Sequence, residues 1–357
     1  MGQRPYGSKE ESKGAEGAVT QDLTRSTIFA ARDAEHFRAQ AQGEGEFYPR
    51  YGHPNARTFE ARMAALEGAD GAVCFASGMA TLHGVFCCLL QAGDTIACSR
   101  DVYGGTGDLL KHDLGRFGIE VRRFDPFSEE ETVAAVQPPV KLVHVESPTN
   151  PLVRVVDLER VAGAAHAAGA LLSVDATFVP PPLQRPLERG ADLVVHSATK
   201  FLGGHHDVLG GVVSGRHEQL EMLEAFRRRT GAILGPDRAW LLTRSLDTLE
   251  VRVRHMCMTA ARLASFLDGL RSEGGDIAAV HYPGLSRHPD FEIATRQMLM
   301  PGSMLAFEVK HGLEGATAVY DRLQRITRAP SLGGTESVAL LPLYSSHAGL
   351  TPEERAE

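Results

Sequence analysis

From about Thr58 to Gly215 the chain alternates short, nearly continuous apolar runs with stretches of helical pattern. The runs "GAVCFAS", "DTIACS", "IEVRRF", "VKLVHVES", "ALLSVDA", "ADLVVHS" and "VLGGVVSG" each predict a strand. Between them "GMATLHGVFCCLLQAG" predicts a buried helix, and "GGTGDLLKHDLGRFG" a second helix. Strands that are apolar on both faces must be covered on both, and helical crossovers do this when the strands run parallel. An α/β domain with a mostly parallel sheet is therefore expected. After Pro236 the pattern changes. "DRAWLLTRSLDTLEVRVRHMCMTAARLASFLDGLRSEG" reads as a long amphipathic helical region bent once, "SMLAFEVK" as a strand and "GATAVYDRLQ" as a helix. These describe a second, smaller α+β domain.

At 357 residues the chain is too long for one simple core, which agrees with two domains. Hydrophobic and charged contents of 43% and 23% are those of a soluble globular protein. A net charge of −8 argues against a general nucleic-acid binder, because neutralising phosphates needs a basic surface. No run of about 18 apolar residues is present, so no membrane span is expected. The opening "MGQRPYGSKEESKGAEGAV" is polar and reads as a flexible lead-in rather than a signal peptide. Cys74, Cys87, Cys88, Cys98 and Cys257 lie in apolar contexts without metal-type spacing. They read as buried thiols of a cytoplasmic protein.

In open α/β sheets, ligands bind beyond the carboxyl ends of the strands. Ser147, Asp175 and Ser197 each close an apolar run and so lie at such ends. Lys200 follows closely, with Ser197 and Thr199 as hydroxyl-bearing neighbours. A lysine after a strand is ordinarily a surface residue, but burial would lower its pKa toward nucleophilic use. Upstream, Ser77, Gly78 and Met79 stand at a strand-to-helix junction. Helix N-termini present free N–H groups that suit a phosphate, although a plain cap accounts for this triplet by itself. Phosphate site, amine and carboxylate together describe pyridoxal 5′-phosphate (PLP) rather than a nucleotide. Asp175 would pair with the pyridine nitrogen and Lys200 would hold the aldehyde as a Schiff base. Tyr103 would lay its ring over the pyridine. His205, His206 and Asp207 do not suggest a metal, since consecutive histidines cannot easily share one ion. The glycines of "FLGGHHDVLGG" do not have dinucleotide-fingerprint spacing.

The motifs "YPRYGHPN", "FASGMAT", "DVYGGT", "VESPTNP", "SVDATF", "HSATKFLGGHHDVLGG" and "APSLGGTESV" occur in this order. Together they resemble the Cys/Met-metabolism family of PLP enzymes, from about Gln21 to Glu354. That family includes cystathionine γ-synthase, cystathionine γ-lyase, methionine γ-lyase and sulfhydrylase relatives. The resemblance implies the PLP-dependent transferase fold type I, with a mostly parallel seven-stranded sheet in the large domain. It also implies a homotetramer, a dimer of dimers whose active sites are shared between subunits. The expected division is an arm over 1–57 that contacts a neighbouring subunit, a PLP-binding domain over 58–246 and an incomplete small domain over 247–357. By motif, Lys200 resembles the Schiff-base lysine and Asp175 the pyridine partner. Gly78, Met79, Ser197 and Thr199 resemble phosphate ligands beside Ser77. Tyr48 and Arg50 resemble residues sent to the neighbour's phosphate. Tyr103 resembles the stacking ring and Asn150 the residue near the cofactor's 3′-oxygen. Ser331 and Glu336 resemble substrate contacts. The implied reaction is γ-replacement or γ-elimination on an O-acylhomoserine or cystathionine.

Three departures qualify the resemblance. Ala176 replaces the family's asparagine after Asp175, which is expected to loosen that carboxylate. Gly105 stands where methionine γ-lyases carry cysteine, which favours the cystathionine enzymes. Relatives also continue to a segment near Arg-Leu-Ser-Val-Gly whose arginine grips the substrate carboxylate, whereas this sequence is given to "SSHAGLTPEERAE". Losing one partner of a buried charge pair costs about 2–5 kcal/mol, or roughly thirtyfold to a few thousandfold in binding. Two alternatives follow: a PLP-binding but catalytically impaired partner subunit, or a specialised-pathway enzyme in which Arg325 and Arg328 take over the carboxylate.

Overall fold

The computed structural model describes residues 18–345. Residues 1–17, in the expected arm, and 346–357, with most of the "SSHAGLTPEER" segment, lie outside the described residues. All seven apolar runs form strands: β1 Gly71–Phe75, β2 Thr95–Ser99, β3 Glu120–Phe124, β4 Val140–Glu146, β5 Leu171–Asp175, β6 Leu193–His196 and β7 Gly211–Gly215. They make one sheet in the order β1-β7-β6-β5-β4-β2-β3. The pairs β2–β3, β2–β4, β4–β5 and β5–β6 are parallel, whereas β7 is antiparallel to both β1 and β6. A parallel return needs a crossover, usually a helix. The segment from Ser197 to Gly210 contains only turns, so β7 comes back antiparallel.

Neighbouring strand residues serve opposite layers. Phe75, Ile96, Leu142 and Val195 pack with Leu82, Val85 and Phe86 of the helix Gly78–Leu89 and with Leu220 and Leu223 of the helix His217–Thr230. Val143, Val145, Leu172, Val174 and Val194 pack with Leu158, Val161 and Ala165 of the helix Leu158–Ala167. This period-two division explains why the strands read as continuous apolar runs. A third cluster joins Phe59 and Met63 of the helix Pro54–Glu67 to Leu242 and Leu246 of the helix Pro236–Leu246. Residue 57 lies within the first of these helices, Gln21 and Thr24 bond to its Thr58 and Asn55, and the Trp240 indole donates to the Gln21 carbonyl.

"GGTGDLLKHDLGRFG" is not the single helix expected. It forms a helix at Gly104–Asp108, a π-turn at Leu109–Asp113 and a 3₁₀ turn at Leu114–Phe117, ended by Gly118 at φ +75°. Widened and tightened turns let the segment follow the sheet edge without a regular ladder. Beyond the sheet, the bent helical region is two helices, Pro236–Leu246 and Leu249–Ser272. The expected strand is β9 (Ala306–Val309), paired antiparallel with β8 (Ile277–His281). Two short strands follow, β10 (Thr327–Arg328) and β11 (Val338–Ala339), paired in parallel. Arg154, after β4, grips Asp290 with two bonds of 2.6 and 3.0 Å, fastening this region to the sheet. Cys74, Cys98 and Cys257 are buried, while Cys87 and Cys88 are only half-buried.

Candidate active site

Strands β4, β5 and β6 end side by side, and the helix Gly78–Leu89 begins against them. Ser77 is extended and caps this helix, its Oγ accepting from the Ala80 N–H at 3.1 Å. The N–H groups of Gly78 and Met79 have no partner within the helix and remain available to an anion. Gly78 has no room for a side chain: a Cβ there would lie 2.8 Å from Ser197 Cβ and 3.1 Å from its Cα. The helix start and the β6 end, far apart in sequence, therefore form one cradle. Gly78→Ala is expected to push the two apart and weaken cofactor binding by about tenfold, read by titrating PLP into apoprotein.

Asp175 closes β5 and is buried. Burial pushes its carboxyl up, against hydrogen bonds from Thr177 and the nearby His196 ring, which pull it down. The Thr177 N–H donates to Oδ1 at 2.9 Å. Ala176 is fully buried with Val174 and Leu172 on the opposite face of the sheet. A side chain at 176 therefore points away from the carboxylate, which Thr177 orients instead.

The chain then makes a tight turn around Lys200. The Ser197 N–H donates to Thr177 Oγ1 at 2.9 Å, and the Gly204 N–H to the Lys200 carbonyl at 2.7 Å. The Thr199 hydroxyl is engaged on both sides by Gly210, donating to its carbonyl at 3.2 Å and accepting from its N–H at 3.1 Å. Lys200 Nζ donates to Ser331 Oγ at 3.0 Å, and burial lowers the amine's pKa. Ser331 is held at φ +89°, a conformation that costs energy outside glycine. Next to it, a Cβ at Gly333 would lie 2.8 Å from the Lys200 carbonyl carbon, so the two loops are in close contact.

Tyr103 is half-exposed, and its N–H donates to Glu146 Oε2 at 2.7 Å. A Cβ at Gly105 would lie 2.6 Å from Tyr103 Cε1 and 3.1 Å from Met79 Sδ, which places that ring beside the helix start. Asn150 lies half-buried in the loop after β4. A cavity of about 690 Å³ adjoins Lys200's partner Ser331 and is lined also by Thr199, His206, Asp207, Arg238 and Glu336. His206 Nε2 stands 3.8 Å from Glu336 Oε2, whereas His205 Nδ1 lies 2.7 Å from the Gly203 carbonyl oxygen.

Two groups of expected residues lie apart from this cluster. Arg50 stacks over Tyr48 and Tyr51 at 5.5 and 5.1 Å and donates to the Arg228 carbonyl at 3.1 Å. Tyr48 is exposed, whereas Arg50 is half-buried. Arg328 is directed to Asp321, bonding its carbonyl at 3.1 Å. Sequence reasoning passed over Glu146 and Thr177. A glutamate inside the apolar run "VKLVHVES" was the available sign of the first, and nothing local marked the second.

Amine, buried acid and anion cradle are the three contacts that PLP requires, so the residues fit it. The family model "Cys/Met metabolism PLP-dependent enzyme" matches residues 6–357. The chain is 39% identical to L-methionine gamma-lyase of Pseudomonas putida, over 95% of this chain and 85% of that protein. It is 41% identical to O-succinylhomoserine sulfhydrylase of Pseudomonas aeruginosa, over 96% and 84%. The crystal structure of cystathionine gamma synthase from Xanthomonas oryzae pv. oryzae in complex with aminoacrylate and cysteine superposes with a TM-score of 0.91 at 36% identity. It covers 97% of this chain and 87% of that one.

Proposed function

Because the chain belongs to the Cys/Met metabolism PLP-dependent enzyme family, and is thus a PLP-dependent enzyme of fold type I, we propose that it performs γ-replacement or γ-elimination on an O-acylhomoserine or cystathionine. The observation that carries this reading is the Lys200 amine, fixed on Ser331 beside a cavity that contains both acidic and basic side chains. Overall similarity does not separate the candidate activities, since a methionine γ-lyase and a sulfhydrylase resemble the chain to a similar degree.

In this reading Lys200 is the covalent anchor, Asp175 faces the pyridine nitrogen, and Ser77, Gly78, Met79 and Ser197 hold the phosphate, joined by Thr199 once its hydroxyl turns from the Gly210 carbonyl. Asn150 lies near the 3′-oxygen and Tyr103 covers the ring. When bound, the cofactor supplies an electron sink next to the substrate's α-carbon. Lys200 Nζ would take the proton from Cα and then a second proton from Cβ, and the electron pair left by the Cβ–H bond forms the Cβ–Cγ double bond as the γ-substituent departs with its own bonding pair. Its lowered pKa makes the unprotonated amine available at lower pH than for an exposed lysine. Ser331 Oγ steadies that amine between transfers, and Glu336 meets the far end of the substrate. Tyr48 and Arg50 reach the neighbouring subunit's phosphate in a homotetramer. The exposure of Tyr48, together with an Arg50 that has no carboxylate paired to it among the described residues, supports this.

The test is to incubate the PLP-loaded chain with O-succinylhomoserine plus cysteine, with cystathionine and with methionine, and to quantify cystathionine, 2-oxo acid and ammonia. Turnover of either of the first two is expected. Turnover of methionine alone would reassign the activity, and a homogeneous, cofactor-loaded protein that turns over none would overturn the reading.

A further inference from the structure

Glu146 is the last residue of β4, is buried, and has no part in the reaction just described. In the β4–β5 ladder its register partner is Asp175, one step beyond the Val145–Val174 pair. Val145 and Val174 face the layer beneath the helix Leu158–Ala167. Alternation therefore turns both carboxyls to the opposite face, the one that carries the candidate active site. There the Tyr103 N–H donates to Glu146 Oε2 at 2.7 Å. Tyr103 lies past the end of β2, at the start of the irregular segment that begins at Gly104, and the residue is 45% exposed. A ring so little enclosed takes its place mainly from its own backbone, and that backbone is tied across the sheet to β4.

We propose that Glu146 is a positioning residue that fixes the Tyr103 ring over the cofactor through the Tyr103 amide. This rests on the assignment of Tyr103 as the covering ring. Burial first, and then the charge of Asp175, push the Glu146 carboxyl well up, while Thr177 and His196 favour the ionised form of Asp175. Of the two carboxyls, Glu146 therefore takes the proton and Asp175 keeps the charge for the pyridine nitrogen. An amide has the shape and acceptor oxygen of the neutral acid, so glutamine is the conservative replacement. Methionine keeps the volume and leaves the Tyr103 N–H without an acceptor.

The experiment measures the PLP dissociation constant and the visible circular dichroism of the bound cofactor in Glu146→Gln, Glu146→Met, Tyr103→Ala and the Glu146→Met/Tyr103→Ala double variant. Glu146→Met is expected to weaken cofactor binding about tenfold and reduce the dichroism, and Glu146→Gln to stay within about twofold of the parent. On the Tyr103→Ala background Glu146→Met is expected to add little, because both act through one ring. Equal losses on both backgrounds, or Glu146→Gln as damaging as Glu146→Met, would overturn the inference. A Tyr103→Ala protein with unchanged binding and dichroism would remove the Tyr103 assignment itself, and the inference with it. Should Glu146→Met not fold, Glu146→Asp carries the same expectation, since it keeps the acid but withdraws the acceptor by one methylene.

Discussion

Lys200→Ala abolishes covalent cofactor attachment and lowers turnover by about three orders of magnitude or more, the loss expected when one group is both anchor and base. Intact mass after borohydride reduction reads the first effect: the parent gains the reduced adduct and the variant does not. The amine is held in place for this role, since its Nζ donates to Ser331 Oγ at 3.0 Å and the turn that bears Lys200 is pinned by Thr177, Gly203 and Gly204. An adduct that persists in Lys200→Ala would show that another residue carries the aldehyde.

The second large effect is at Asp175. Asp175→Ala deletes the buried acid that we propose faces the pyridine nitrogen, at an expected cost of about 2–5 kcal/mol, or roughly thirtyfold to a few thousandfold in cofactor affinity. Asp175→Asn keeps the shape and the Thr177 N–H contact but loses the charge, so its affinity loss is expected to fall in the same range. Stability should move the other way. The folded-state pKa of Asp175 is raised, so the folded apoprotein binds this proton more tightly than the unfolded chain. The group therefore favours folding below the ordinary aspartate range and opposes it as pH rises through the raised value. At neutral pH, Asp175→Asn apoprotein should melt at a higher temperature than the parent, with the difference shrinking as pH falls. Cofactor affinity that is unchanged in both variants would remove Asp175 from the pyridine site.

The placement of both residues was legible without coordinates. Apolar runs that end in "SVD" and "VVH" mark strands buried on both faces, and the carboxyl ends of such strands are where a parallel sheet opens to ligand. The helix start at Ser77–Gly78–Met79 was legible for a similar reason, because a serine between an apolar strand run and a helical pattern is a local signature of an N-cap. Seven motifs in order then narrowed these general features to one cofactor.

The amino-acid sequence by itself determined the seven strands, the buried helix after β1 and the bend before Leu249, and it singled out the amine, the acid and the helix start that we propose hold the cofactor. Each of these is written in local periodicity or in a short run of neighbouring residues. Tertiary structure alone decided the antiparallel return of β7, the strand β8, the division of the 104–117 segment, the commitment of the Thr199 hydroxyl to Gly210 and the approach of Ser331 to Lys200, 131 residues away. Tertiary structure also aligned Glu146 with Asp175 and placed Tyr103 against it. These are contacts between segments whose spacing in the chain carries no period, so they exist only once packing has brought the strand ends to one edge of the sheet.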